Sequence, residues 1–174
     1  MKDVLAPDLD VLFCGINPGL ASAAAGLPFA SRGNRWWAAL EQSGFTPRVL
    51  APTEADTLLS WGLGLTTMVR RPTSRAAELS RAELVAGAAE LLDRVRIWRP
   101  RWLAVLGVTA FRAGFDRPAA TVGEQDLAIG ATRVWVLPNP SGLNAHFPPR
   151  LLAEEFARLR RAASLSDRRT PPAR

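Results

Sequence analysis

Leu12-Phe13-Cys14-Gly15-Ile16-Asn17-Pro18-Gly19 is the stretch from which the rest of this chain is best read. Val11–Cys14 is a short apolar run of the kind that forms a buried strand. It breaks at Gly15 into a Gly/Pro-rich turn that carries one polar side chain, Asn17. Open α/β sheets present chemistry in this way, because ligands bind beyond the carboxyl ends of their strands. The pattern recurs toward the other end of the chain. Val134–Leu137 (VWVL) is apolar and rich in β-formers, and it breaks into Pro138-Asn139-Pro140-Ser141-Gly142. Either turn alone reads first as ordinary turn chemistry. Two strands that each deliver an Asn-Pro turn suggest two walls of one site.

Working outward, Leu20–Gly33 reads as a long Ala/Gly/Ser-rich loop, a length that in a compact domain is usually functional. Asn34 caps a helix over Arg35–Ser43, and Gly44 stops it. Thr46-Pro47 and Pro52-Thr53 both have the form of helix starts, the second leading to a short helix that ends at Trp61. Leu65–Val69 is a second strand, followed by the basic loop Arg70–Arg75. Ser80 with Glu83 forms a capping box for a helix to about Arg96, with Glu90 and Arg94 spaced as an i,i+4 pair. Trp102–Leu106 is a third strand, almost wholly apolar and so buried on both faces. A short helix at Thr109–Ala113, strands at Leu127–Ile129 and Thr132–Leu137, and a last helix at Arg150–Ala163 complete the chain. Strands alternating with helices predict an α/β fold: a three-layer α/β/α sandwich around a mainly parallel sheet of about four to five strands. One domain is expected over residues 1–163, with 164–174 as a basic, flexible tail. This topology lines up Ile16–Gly19, Arg70–Arg75, Gly107–Thr109 and Pro138–Ala145 along one edge.

Composition narrows the chemistry. The 174 residues are 48% hydrophobic and 22% charged, ordinary values for one globular domain. No apolar run approaches bilayer length, and MKDVLAPDLD has acids where a signal peptide would be basic and then apolar, so a cytoplasmic protein with no membrane partner is expected. The single Cys14 excludes an internal disulfide and a cysteine-ligated iron–sulfur cluster. With His146 the only histidine, a His/Cys zinc site is not built either, and no cofactor is expected. Of the net charge of +6, about five units fall in residues 157–174, so the body has no general basic excess and any nucleic-acid surface must be a local patch. Lys2 is the only lysine, and arginine stays protonated, which argues against Schiff-base chemistry from within the fold. Asp56, Asp93 and Asp126 read as surface carboxylates.

Taken together, GINPG at Gly15–Gly19, GLPFA at Gly26–Ala30, NRWW at Asn34–Trp37 and LPNPSGL at Leu137–Leu143 resemble the mismatch-specific uracil-DNA glycosylases, the group that includes the thymine-DNA glycosylases. The resemblance runs from about Leu5 to Ala163 and takes in LTTMVRRPT (Leu65–Thr73) and WLAVLG (Trp102–Gly107). It implies a monofunctional enzyme, acting as a monomer, that flips uracil and related pyrimidines from double-stranded DNA and hydrolyses the N-glycosidic bond. Its partner would be duplex DNA carrying uracil or G:U and G:T mismatches. By match to the family, Asn17 positions the attacking water, helped by Asn139. Phe29 stacks on the flipped base, and backbone near Ile16 and Phe29 bonds to it. Ser22 lies near the water or a phosphate, and Ser141 contributes to the base site. The loop Ser141–Ala145 is the wedge, in which Leu143 fills the gap while Gly142 and Asn144 touch the opposite guanine.

The chain departs from the family pattern in two places. Ala145 and His146 stand where an arginine is common, and Thr67 stands where a lysine is common. Arg70 and Arg71, with Arg75, are candidates to replace that lysine at the phosphates. A binding module without catalysis would keep the wedge and the arginines but would need no Asn17. A nucleotide-binding enzyme is poorly supported, because the first loop has neither GxGxxG nor GxxxxGK[ST] spacing.

Overall fold

The computed structural model describes residues 2–169. Five strands form one sheet: β1 (Val11–Gly15), β2 (Leu63–Thr67), β3 (Trp102–Leu106), β4 (Gly123–Ile129) and β5 (Thr132–Leu137). Their spatial order is β2-β1-β3-β5-β4; every pairing is parallel except the antiparallel edge pair β4–β5. The helices are α1 (Leu20–Ala25), α2 (Trp36–Gln42), α3 (Arg81–Trp98), α4 (Val108–Gly114) and α5 (Pro149–Ala162), with a 3₁₀ helix at Pro52–Trp61.

The three central strands are buried on both faces, as their unbroken apolar runs predict. Val11 and Phe13, with Leu65, Ala104 and Leu137, face a layer containing Trp36, Leu40, Leu58 and Phe156 from α2, the 3₁₀ helix and α5. Leu12 and Cys14, with Leu103, Val105 and Val136, face Leu84, Ala88, Leu91 and Phe111 of α3 and α4. Helices on both faces give the expected three-layer α/β sandwich. The connection leaving β1 runs over the first face and the one leaving β3 over the second. That reversal puts the crevice of an open sheet beyond the carboxyl ends of β1 and β3.

Several boundaries differ from expectation. Leu20–Gly33 is not all loop: Leu20–Ala25 is helical, because four alanines with a left-handed Gly26 stop make a helix of what reads as a small-residue linker. Thr46-Pro47 starts no helix. β2 begins two residues early, directly from the left-handed Gly62. β4 begins at Gly123 rather than Leu127, since its edge position leaves alternate residues in solvent and hides the strand behind polar side chains. Ser80 and Glu83 form their capping box. Arg94 does not pair with Glu90; it turns inward, donating to the Thr66 hydroxyl and, at 2.7 Å, to the Thr67 carbonyl. Burial pushes the Cys14 thiol up to about 12, so it stays protonated at neutral pH and acts as a small core side chain.

The start of the expected tail is hydrogen-bonded to the body. Arg168 donates to the carbonyls of Phe45 (2.8 Å) and Trp61 (2.9 Å), and Arg169 to that of Gln42 (2.6 Å) and to Asp167. These contacts lie at the amino-terminal end of β1 and β2, where Asp10 donates its N–H to Gly62, so these two arginines sit opposite the crevice. Residues 170–174 of the expected tail lie outside the described residues. No described helix is long and apolar enough to cross a membrane.

Candidate active site

β1 does not stop at Gly15 in its hydrogen bonding. The carbonyls of Gly15, Ile16 and Pro18 accept from the N–H groups of Met68 (2.8 Å), Val69 (2.9 Å) and Thr73 (3.2 Å). Ile16–Gly19 is therefore tied by main chain to the segment after β2, and Pro18, which has no N–H to offer, costs the ladder nothing. From this turn Asn17 donates through Nδ2 twice, to the Arg71 carbonyl (2.8 Å) and to Thr73 Oγ1 (2.8 Å). The Thr73 hydroxyl hands its own proton to the Arg75 carbonyl (2.8 Å), so toward Asn17 it can only accept. Both protons of the amide are thus committed. Oδ1 is the atom left to act, and it makes no protein hydrogen bond among the described residues.

Phe29 stands over the start of this turn. A Cβ placed at Gly15 would lie 3.4 Å from Phe29 Cζ, which puts the ring directly against the end of β1. The ring stacks on Trp36 (centroids 4.6 Å apart, planes at 27°), and Phe29 itself has φ +50°, an uncommon left-handed backbone for a bulky residue. Ser22 helps hold that conformation: it is buried, and its Oγ accepts the N–H of Ala30 at 3.0 Å. The structure therefore uses Ser22 to brace the Phe29 turn. Thr67 is buried beside Gly15, and its Oγ1 has no hydrogen-bond partner among the described residues.

The second turn leaves β5. Asn139 Oδ1 accepts the N–H of Ser141 (3.0 Å), and its carbonyl accepts from Asn144 Nδ2 (3.0 Å), so Asn139 shapes its own turn and keeps its amide protons free. Gly107, at the end of β3 between the two turns, has φ +142°; a Cβ there would stand 2.7 Å from Ile16 Cδ1 and 4.0 Å from Asn139 Cβ. Beyond Asn139 the loop exposes Gly142, Leu143, Ala145 and His146, and Leu143 is 78% exposed. Gly142 passes so close to Gly33 that a Cβ would lie 2.7 Å from the Gly33 carbonyl oxygen. A Cβ at Gly19 would be 3.2 Å from Ser31 Oγ. Residues 29–33 thus bridge the two walls.

The expected basic loop is differently occupied. Arg70 makes a two-pronged pair with Asp3 (2.7 and 2.6 Å), and Arg71 one with Glu83 (2.6 and 3.1 Å). Hydrogen bonds from Arg71 and from Ser80 hold the Glu83 carboxyl down at about 2. Arg32 and Arg75 are exposed at the same edge and have no ion-pair partner among the described residues. Asp56, Asp93 and Asp126 are exposed, and no carboxylate bonds to Asn17 or Asn139 among the described residues. Nor do the described residues contain any group of three or more His, Cys, Asp and Glu side chains able to hold a metal ion.

Arg35 is the functional residue that motif reading passed over, although it lies inside NRWW. Its guanidinium donates to three carbonyls of the second loop: Phe147 (2.6 Å), Ser141 (2.5 Å) and Asn144 (3.0 Å). An arginine at the mouth of a helix whose next residues are buried tryptophans was the available signal.

Fold and candidate site together are those of an α/β protein with a crevice at the switch point of its sheet, an amide-bearing turn on one side and an exposed apolar loop tip on the other. Over residues 2–160 the sequence matches the family described as the Uracil DNA glycosylase superfamily, and the chain belongs to that superfamily. It is a DNA glycosylase, a hydrolase of DNA repair whose partner is DNA.

Proposed function

We propose that the chain is a monofunctional, mismatch-preferring uracil-DNA glycosylase that acts as a monomer, flips uracil and related damaged pyrimidines from opposite guanine, and leaves an abasic site. The observation that carries this reading is the locked amide of Asn17, whose Oδ1 alone remains to orient a water. That water adds its oxygen to the sugar C1′ as the C1′–N1 bond breaks and the bonding pair departs with the base. The water's proton is lost to solvent or to the base. An amide orients water without taking its proton at neutral pH, so rate comes from positioning and from stabilising the anionic leaving base, and turnover is slow. Phe29, backed by Trp36, offers a stacking surface for the flipped base. Backbone near Ile16 and Phe29 offers it hydrogen bonds.

Leu143 is the wedge, with Gly142 and Asn144 facing the opposite base. Phosphate contact falls to Arg32 and Arg75, because Arg70 and Arg71 already spend their charge on Asp3 and Glu83. The sole lysine, Lys2, is exposed, and no amine bonds to Asn17 or Asn139 among the described residues, which supports the absence of a lyase step. The test is base release from uracil, thymine and ethenocytosine, each opposite G, opposite A and in single strands. Fastest release of uracil opposite G, with strand breaks only after alkali, is the expected result. No release from any substrate, or breaks without alkali, would overturn the reading.

A further inference from the structure

Arg35 donates hydrogen bonds to four carbonyls of the second loop. Residues 138–147 contain no helix or strand, and prolines at 138 and 140 remove two N–H groups that could have stiffened them. Within Ser141–Phe147 the recorded internal bonds are short-range: Asn144 N–H to the Ser141 carbonyl, and Leu143 N–H to Ser141 Oγ at 3.3 Å. Beside the close packing of Gly142 on Gly33, the hydrogen bonds that join this loop to the body among the described residues come from Arg35. Its backbone N–H, a helix-entry donor without an intrahelical partner, bonds to the Pro140 carbonyl at 3.0 Å, and its guanidinium gathers the carbonyls of residues 141, 144 and 147. No carboxylate pairs with it among the described residues, and its Nε is buried without a partner. An arginine is held here against carbonyl dipoles alone, an arrangement that only a planar fork with several donors satisfies.

Its sequence neighbours work on the other wall. The N-cap of α2 is Arg35 rather than the expected Asn34, whose Oδ1 accepts the N–H of Trp36 at 2.9 Å in a turn leading into the helix, and Trp36 supports the Phe29 ring. Three consecutive residues therefore shape the helix entry, clamp the exposed loop and back the stacking platform. We propose that Arg35 is the positioning residue for strand entry. It holds 141–147 in the shape that presents Leu143, and it ties that shape to the Phe29–Trp36 platform, so that filling the duplex and receiving the flipped base happen on one rigid unit. This rests on the glycosylase reading above.

The test uses Arg35→Ala and Arg35→Lys in the full chain, with two readouts. The first is the ratio of single-turnover uracil release from G·U duplex to release from single-stranded DNA, at saturating protein. The ratio falls about tenfold in Arg35→Ala, in the rate rather than in the half-saturating concentration, and Arg35→Lys, which keeps the charge but not the fork, is intermediate. A merely structural role would lower both substrates alike and leave the ratio. The second readout is amide hydrogen exchange, which needs no catalysis: protection of 141–147 drops at least about tenfold while that of Met68, Val69 and Thr73 holds. If Arg35→Ala does not fold, Arg35→Lys carries both measurements. Should wild-type protein release no uracil, the glycosylase reading fails, and exchange alone decides whether Arg35 clamps the loop. An unchanged ratio, or unchanged exchange in 141–147, overturns the proposal.

Discussion

The turn after β1 and the turn after β5 carry the same Asn-Pro lettering but are held in different ways. Ile16–Gly19 is an extension of the sheet: carbonyls of Gly15, Ile16 and Pro18 accept from Met68, Val69 and Thr73, and Asn17 adds two side-chain bonds to the same segment. Pro138–Phe147 leaves the sheet, folds on itself through Asn139 and Asn144, and is hydrogen-bonded to the body by one residue, Arg35 at the entry of α2, through its backbone N–H and its guanidinium. Asn139 spends its carbonyl oxygen on the turn, whereas Asn17 spends its amide protons and keeps the oxygen. The first turn is built to hold one atom still. The second is built to present a surface, with Leu143 at its tip, and to be adjusted from a distance. A ladder of backbone bonds is insensitive to side-chain identity; a clamp made by one residue can be removed by one substitution.

The largest expected effect falls on the first turn. Asn17→Ala removes the acceptor that orients water and should lower uracil release on the order of 10²- to 10³-fold while sparing duplex binding. Release at the wild-type rate would mean that the two turns do not divide their labour as described. Asn17→Asp sharpens the same point. A carboxylate would set oxygen against the Arg71 carbonyl and against a hydroxyl whose proton is already given away, so thermal unfolding should show a loss of about 1–3 kcal/mol rather than a simple gain of a base.

On the second turn, Gly142→Ala forces a methyl to within 2.7 Å of the Gly33 carbonyl oxygen. It should cost about 1–3 kcal/mol of stability and reduce duplex over single-strand release several-fold. An unaltered melting temperature together with an unaltered ratio would show that the Gly33 contact does not shape the loop.

The smallest effect distinguishes the turns by pH. Arg71, whose carbonyl receives Asn17, is braced by Glu83, whose carboxyl is lowered from 4.5 to about 2. A carboxyl with a depressed folded value contributes stability that is whole above its unfolded value and is lost as pH falls through the folded one. Support of the first turn should therefore weaken between about pH 4.5 and about pH 2, with a small amplitude because the pair is exposed. The second turn, fastened by an arginine on carbonyls, has no such carboxyl partner. Amide shifts of Arg71–Thr73 followed through that range in wild type and Glu83→Gln are the measurement; equal acid response in the two proteins would remove the contrast.

How far this was legible from the amino-acid order depends on the range of the interaction. The parallel strands, the capping box at Ser80 and the edge that gathers Asn17 and Asn139 all follow from local periodicity and turn chemistry. Leu20–Ala25 and the start of β4 are not legible in the sequence because small residues and alternating polar residues give weak local signals. Arg70 and Arg71 read as free cations, since nothing local to them shows that Asp3 and Glu83 will arrive beside them. Arg168 and Arg169 read as tail, since the carbonyls they meet belong to Phe45, Trp61 and Gln42, more than a hundred residues away.

The sequence by itself determined the fold class, the two Asn-Pro turns and, through its motifs, the superfamily. Each of these rests on hydrogen bonds and burial patterns repeated within a few residues, which residue order encodes directly. Only the tertiary structure decided which oxygen of which asparagine is free, which arginines still carry an unspent charge, and that Arg35 holds the exposed loop. Those outcomes depend on partners brought together across the chain, and a guanidinium's choice among carboxylate, carbonyl and solvent is settled by what stands within about 3 Å of it.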